Sequence, residues 1–313
     1  MTIDTKKIYS TISQFQGEMT QAHFELVSTY LYEGQNSKLR DLDCNLILTY
    51  LIFKSLKLLN EKKLQYNYND LLNINQLSPI NLKKSEIAVD LGYPRESVRR
   101  NLNKLEKYNF IRIDNKEIII NMNDCLSDMN IERYENSLNK ILDIILKNIN
   151  VETNFYNKSN RVSINFEKKF SLIWYYFLEM VIDISIVWKK YYTSLECWYV
   201  FGTCVLNQTY NTRDYSFEKN DENTTENFIL NITGTKSIRG LNPTTLSELT
   251  GIPRETVTRH LAKLLDNRII KKDRQNLFYF PSVQVKRKSL IKNIEFVKNR
   301  VTEFVYKVIK TMN

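Results

Sequence analysis

The chain has 313 residues, 42% hydrophobic and 26% charged, and its 45 lysines and arginines outnumber 35 aspartates and glutamates for a formal net charge of +10. That length accommodates two ordinary domains, and the composition is that of a folded protein rather than a disordered one. The basic excess favours a polyanionic partner, while two histidines and four scattered cysteines without a CxxC argue against a histidine-based metal centre, a redox motif or a disulfide framework.

From the N-terminus, MTIDTKKIYSTISQFQ contains no apolar run of signal-peptide length, which predicts no secretion, and the scattered cysteines suit a reducing cytoplasm. The next stretch reads as helical, and it has a counterpart further along. Leu42-Asp43-Cys44 matches Leu195-Glu196-Cys197 at an offset of 153, and the blocks 23–44 and 176–197 share an apolar texture. Cys44 and Cys197 are therefore equivalent, either as small buried apolar groups or as a redox pair.

The clearest signal begins at Gly92. GYPRESVRRNLNKL is repeated as GIPRETVTRHLAKL from Gly251, at a constant offset of 159 residues and with no gap. Gly followed by a residue and Pro marks a tight turn leading into a helix, because Pro at the first helical position loses no hydrogen bond. Val98, Leu102 and Leu105 then fall at i, i+4 and i+7 and predict one buried stripe, as do Val257, Leu261 and Leu264. Glu96, Arg99, Arg100 and Asn103 point away from that stripe in the first copy; Glu255, Thr258, Arg259 and Ala262 do so in the second. The short stretches before each turn predict a preceding helix of about two turns, with Ser85 and Thr244 as N-caps. Two helices joined by a Gly-containing turn make a helix-turn-helix. After each, a β-prone run folded about a polar turn predicts a hairpin, over 110–120 and over 269–280.

Beyond the first hairpin, 134–150 reads as an amphipathic helix, and 151–169 is polar enough to separate two halves. Phe170 to Trp188 is the one run with membrane-like hydropathy. Glu179 and Asp183 interrupt it, which predicts a buried helix with those carboxylates paired to Lys189, Lys190 or solvent. The polar run 207–228 is read as the loop that absorbs six extra residues of the second copy, and 294–310 as a second amphipathic terminal helix.

The repeated segments resemble the DNA-binding module of winged helix-turn-helix transcription regulators, closest to the Crp/Fnr type, whose recognition helix opens Arg-Glu-Thr/Ser-Val-x-Arg. Arg95-Glu96-Ser97-Val98-Arg99-Arg100 and Arg254-Glu255-Thr256-Val257-Thr258-Arg259 carry that pattern. The order of helices, helix-turn-helix, hairpin and long terminal helix in each half resembles MarR-type regulators, which dimerise through terminal helices. The Crp/Fnr sensor domain has no counterpart: seven glycines are too few for a β-roll, and no cysteine cluster is present. No cofactor is carried over.

The resemblance implies a fold that is mainly α with small β-wings, a tandem winged helix-turn-helix pseudo-dimer. An N-terminal half over 1–150 has its module at about 83–122, and a C-terminal half over 151–313 has its own at about 242–282. It implies base reading by Arg95, Glu96, Arg100, Arg254, Glu255 and Arg259, with Arg99 added in the first copy. An Arg fork fits guanine O6 and N7, and a carboxylate accepts from cytosine N4. Ser97, Lys104, Lys116, Thr256, Thr258, Lys263, Lys271, Lys272 and Arg274 are expected at the DNA backbone. His260 is expected there too, or as a surface histidine with no task. Alternatively Glu96 and Arg100 form a solvated i,i+4 pair, and the hairpin lysines only solubilise.

The function expected is a sequence-specific regulator of transcription in which one chain supplies both recognition helices to double-stranded DNA. RNA polymerase is a further partner such regulators imply, a monomer suffices for binding, and a small-molecule effector is allowed but assigned to no residue. The alternatives are a plasmid-type replication initiator with two winged helices and a winged-helix interaction scaffold. No Gly-rich phosphate loop or G-x-S-x-G elbow is present, so catalysis is not expected.

Overall fold

In the computed structural model, residues 4–36, 39, 41–74, 76–79, 82–115, 117–127, 129–149, 168–211, 224–234 and 239–312 are described. Lys116 and most of the polar stretch 151–169 lie outside them. α1 (Thr5–Gln14) starts on Asp4, whose carboxylate accepts from the Lys6 amide at 3.0 Å, and α2 (Gln16–Asn36) follows after Phe15. α3 (Leu42–Glu61) starts on Asp41, which accepts from the Cys44 amide at 3.0 Å. Such caps satisfy amides that have no partner within the helix. α3 is buried on nearly every side over its first three turns.

Next come α4 (Tyr68–Ile74), strand β1 (Gln76–Leu77), α5 (Lys84–Leu91) and α6 (Arg95–Lys107). Strands β2 (Ile111–Asp114) and β3 (Glu117–Asn121), α7 (Met122–Leu126) and α8 (Ile131–Ile149) complete the first half of the chain. The second half contains α9 (Phe170–Tyr192), α10 (Leu195–Asn211), α11 (Thr225–Gly234), α12 (Pro243–Thr250) and α13 (Arg254–Asp266). Strands β4 (Lys271–Lys272) and β5 (Phe278–Tyr279), a 3₁₀ turn at Ser282–Lys286 and α14 (Lys288–Met312) end it. The protein is thus mainly helical with small antiparallel sheets.

Two compact units are present, each drawn from three segments: Met1–Ser28, Ser137–Asn154 and Val187–Tyr306 in one, Thr29–Asn136, Phe155–Ile186 and Lys307–Asn313 in the other. Neither unit is a contiguous half of the sequence. In the unit containing α3, α5 and α6 rest on α3, and the sheet order is β1-β3-β2, with Ile111 opposite Ile120 and Leu77 on the other flank of Ile120. In the other unit α12 and α13 rest on α10, β4 pairs with β5, and Leu241 bridges Phe278.

The repeat is legible in the backbone. At the offset of 159, α5 and α12 cover equivalent residues, as do α6 and α13. Gly92 and Gly251, both left-handed at φ 62° and 69°, end the shorter helices. Asn109 and Arg268 are left-handed at equivalent positions after the longer ones, at φ 67° and 55°. There the amides of Phe110 and Ile269 return to the carbonyls of Leu105 and Leu264, at 3.0 and 2.8 Å, closing both helices the same way.

Several expectations differ from what the chain does. Ser85 and Thr244 lie inside α5 and α12; Asn242 caps α12, accepting from Thr245 at 2.8 Å with Pro243 as first helical residue, while α5 has no side-chain cap. The predicted loop at 207–228 is helical at both ends, because the Gln208 side chain is buried and bonds the backbone of Ile232 and Phe280. α9 is long and apolar enough to cross a membrane, and 72% of its most apolar 18-residue window is buried within the protein. Glu179 on α9 pairs with Lys307 rather than with Lys189 or Lys190.

Candidate nucleic-acid interface

α6 takes its direction from Pro94, which precedes its first residue, and its register from the stripe of Val98, Leu102 and Leu105, each fully buried. With that stripe held against α3, the first two turns expose Arg95, Glu96, Arg99 and Arg100. Ser97 is half-buried. α13 repeats the arrangement: Val257, Leu261 and Leu264 are buried, while Arg254, Glu255, Thr258 and Arg259 are exposed and Thr256 is half-buried. In both copies the Arg, Glu and last Arg of the motif therefore share the solvent side of one helix, and Val its packed side.

The two exposed faces differ in internal bonding. In α6 the Arg99 guanidinium donates to both Glu96 carboxylate oxygens, at 2.6 and 2.9 Å. That bond, reinforced by the charges of Arg99 and Arg100, holds the Glu96 carboxyl below the ordinary carboxylate range. Arg100 instead approaches Ser97 Oγ at 3.5 Å, so the i,i+4 pair expected between Glu96 and Arg100 is replaced by an i,i+3 pair. In α13 Thr258 stands where Arg99 does and turns its hydroxyl back to the Arg254 carbonyl at 2.9 Å.

Three expected backbone contacts are engaged inside the protein. Lys104 donates to Asp41 at 2.9 Å. Its equivalent Lys263 donates to the Thr193 hydroxyl, beside Ser194, which caps α10 by accepting from the Cys197 amide at 3.1 Å. His260 is 8% exposed and its Nε2 lies 3.1 Å from Glu196, so it faces α10 and not the surface expected for it. The reason is helical geometry: residue 260 follows Val257 by three positions and shares its packed side. In the other unit the equivalent acid, Asp43, accepts from the Tyr93 hydroxyl at 2.6 Å.

On the hairpins, Lys271, Lys272 and Arg274 are exposed, and Lys272 lies 5.5 Å from the centre of the Phe278 ring. Arg112 on β2 is exposed as well and was missed. The signal was present, since the same offset of 159 sets Arg112 on Lys271, whereas Lys116 meets uncharged Gln275. Asp41, Asp43 and Glu196 were missed for a different reason: they are long-range anchors of α6 and α13 that no local pattern announces. Among the described residues no cluster of three or more metal-ligating side chains occurs.

Two basic helix faces, each with a basic hairpin directly after it, can bind phosphates and read base edges without any bound group. No protein-family model, curated protein or solved structure matches the chain.

Proposed function

We propose that the protein is a sequence-specific double-stranded DNA-binding regulator built on two winged helix-turn-helix modules, with α6 and α13 as recognition helices for the two halves of one pseudo-palindromic site. One observation carries the reading. The motif Arg-Glu-x-Val-x-Arg stands twice, on two helices of equal length, each time with its charged members in solvent and its Val in the core. Two exposed faces that share the Arg, Glu and final Arg on otherwise diverged surroundings are what a chain reading two related half-sites needs.

In this reading Arg95, Arg100, Arg254 and Arg259 offer forks to guanine, and Glu96 and Glu255 accept from cytosine N4. Arg112, Lys271, Lys272 and Arg274 take phosphates, which positions the chain without adding sequence information. The net charge of +10 supplies the long-range attraction. Where the copies differ, at Arg99 against Thr258 and Asn103 against Ala262, the half-sites differ in flanking bases.

Selection of bound duplexes from a randomised pool tests this directly. The expected result is a two-part site with related core bases in the two parts. Recovery of one isolated half-site, or of no preference, rejects it. A strand-opening role, as in a replication initiator, would show as melting of adjacent AT-rich DNA on binding.

A further inference from the structure

The unit formed by Met1–Ser28, Ser137–Asn154 and Val187–Tyr306 contains a cavity of about 130 Å³ whose walls come from α1, α2, α9, α10, α11, α14 and Phe280 after β5. Phe24, Trp188, Trp198, Phe201 and Phe280 give it an aromatic lining. Gly202 belongs to that lining: a Cβ there would collide with the Phe24 ring, so the missing side chain lets the ring lie on α10.

Four polar side chains interrupt the apolar wall: Gln16, Thr20, His23 and Lys298. Gln16 and His23, seven residues apart and so on one face of α2, both line the cavity. The Gln16 carbonyl oxygen and His23 Nε2 are buried with no hydrogen-bond partner among the described residues, and Gln16 is only 6% exposed. Buried polar atoms in folded proteins are nearly always satisfied, so two unsatisfied atoms on residues that line one cavity point to an occupant that satisfies them.

Size and charge narrow that occupant. A dry protein cavity of about 150 Å³ takes up benzene, so the space suits one or two rings. The one cation in the wall, Lys298, is engaged with Glu295 at 2.9 Å and Thr225 at 3.3 Å. Burial pushes the His23 imidazole down to about 4, leaving it neutral near pH 7. A carboxylate would find no counter-ion here, and its desolvation would go uncompensated.

We propose that this cavity binds a small neutral aromatic compound of one or two rings carrying an N–H or O–H donor, which meets the Gln16 carbonyl oxygen while the ring packs against Phe24 and Trp198. His23 Nε2 is the second polar contact, as acceptor or donor according to its tautomer.

Calorimetric titration of the full chain with phenol, indole, toluene and benzoate tests the proposal, with Trp188 and Trp198 emission as a parallel readout. Phenol and indole are expected to bind at one site and shift the emission, toluene to bind at least tenfold more weakly, and benzoate not to bind. Gln16→Leu, which keeps the apolar volume, should weaken phenol at least tenfold and leave toluene unchanged. Val205→Phe, which fills the cavity from α10, should abolish all binding. Absence of phenol and indole binding to the wild type overturns the proposal whether or not either variant folds. So do toluene or benzoate binding as tightly as phenol, and wild-type phenol affinity in a folded Gln16→Leu or Val205→Phe.

Discussion

Lys104 on α6 and Asp41 at the start of α3 are joined at 2.9 Å, and the other oxygen of the same carboxylate caps α3. One side chain thus starts a core helix and anchors the helix that carries Arg95, Glu96 and Arg100. Asp41→Ala is expected to cost about 1–2 kcal/mol, mostly from the lost cap. Asp41→Asn keeps the cap and removes only a partly exposed ion pair, worth about 0.2–1 kcal/mol. Urea denaturation of the three proteins separates the two contributions, and equal loss in both variants would deny the capping role.

Alanine at Arg95, Arg100, Arg254 or Arg259 should weaken binding to the selected duplex by about 1–3 kcal/mol and relax one position of the site. Alanine at Arg112, Lys271, Lys272 or Arg274 should weaken all duplexes alike and flatten the salt dependence by about one counterion each. Titrations on selected and random DNA across a salt series distinguish the two groups; identical behaviour would remove the division between reading and positioning.

The apolar stripe beneath α6 and beneath α13 sets the orientation of each helix. Leu102 and Leu261 are 0% and 1% exposed, so Leu→Ala at either position should destabilise the protein by about 2–5 kcal/mol. Thermal or urea unfolding measures this. Alanine at the exposed Arg100 or Arg259 should move stability by less than about 0.5 kcal/mol, and a larger shift there would mean those arginines serve the fold.

His23 gives a pH dependence whose sign follows from its burial. Its native pKa is about 4 against 6.5 when unperturbed, so between those values the unfolded chain takes up a proton that the folded chain refuses. Stability is full above pH 6.5 and falls as the pH drops toward 4, by on the order of 3 kcal/mol in all. His23→Phe should flatten that limb of the stability-versus-pH curve. An unchanged limb would place the acid sensitivity elsewhere.

Burial pushes the thiols of Cys44 and Cys204 up to about 12 and that of Cys197 to about 11, and raises Cys125 as well. Thiolates are the reactive form. Disulfide-exchange labelling of the native protein at pH 8 should therefore run at least ~100-fold slower than in denaturant, limited by opening of the fold. Rapid native labelling of Cys44 or Cys197 would reopen a redox role.

Local chemistry announced what lies near in sequence. The Gly–Pro turns, the stripe from Val98 to Leu105 and its copy, and the terminal amphipathic helices could all be read because turn geometry and helical period leave marks within a few residues. β1 could not, since two residues pair with β3 across more than forty positions. His260 was placed on the wrong side of its helix because its polarity outweighed its spacing from Val257, and only the structure supplies Glu196 as its partner. The partners of Lys104 and Lys263 were hidden for the same reason, lying more than sixty residues upstream. The cavity leaves no trace in sequence at all, being assembled from six helices and Phe280.

The Glu96–Arg99 clasp makes the exposed faces of α6 and α13 unequal before any partner arrives. A base would have to share Glu96 with a guanidinium that donates to both of its oxygens, whereas Thr258, at the place equivalent to Arg99, turns its hydroxyl to the Arg254 carbonyl. On the proposed operator the half met by α6 would carry the small cost of loosening an exposed ion pair, and the half met by α13 would not.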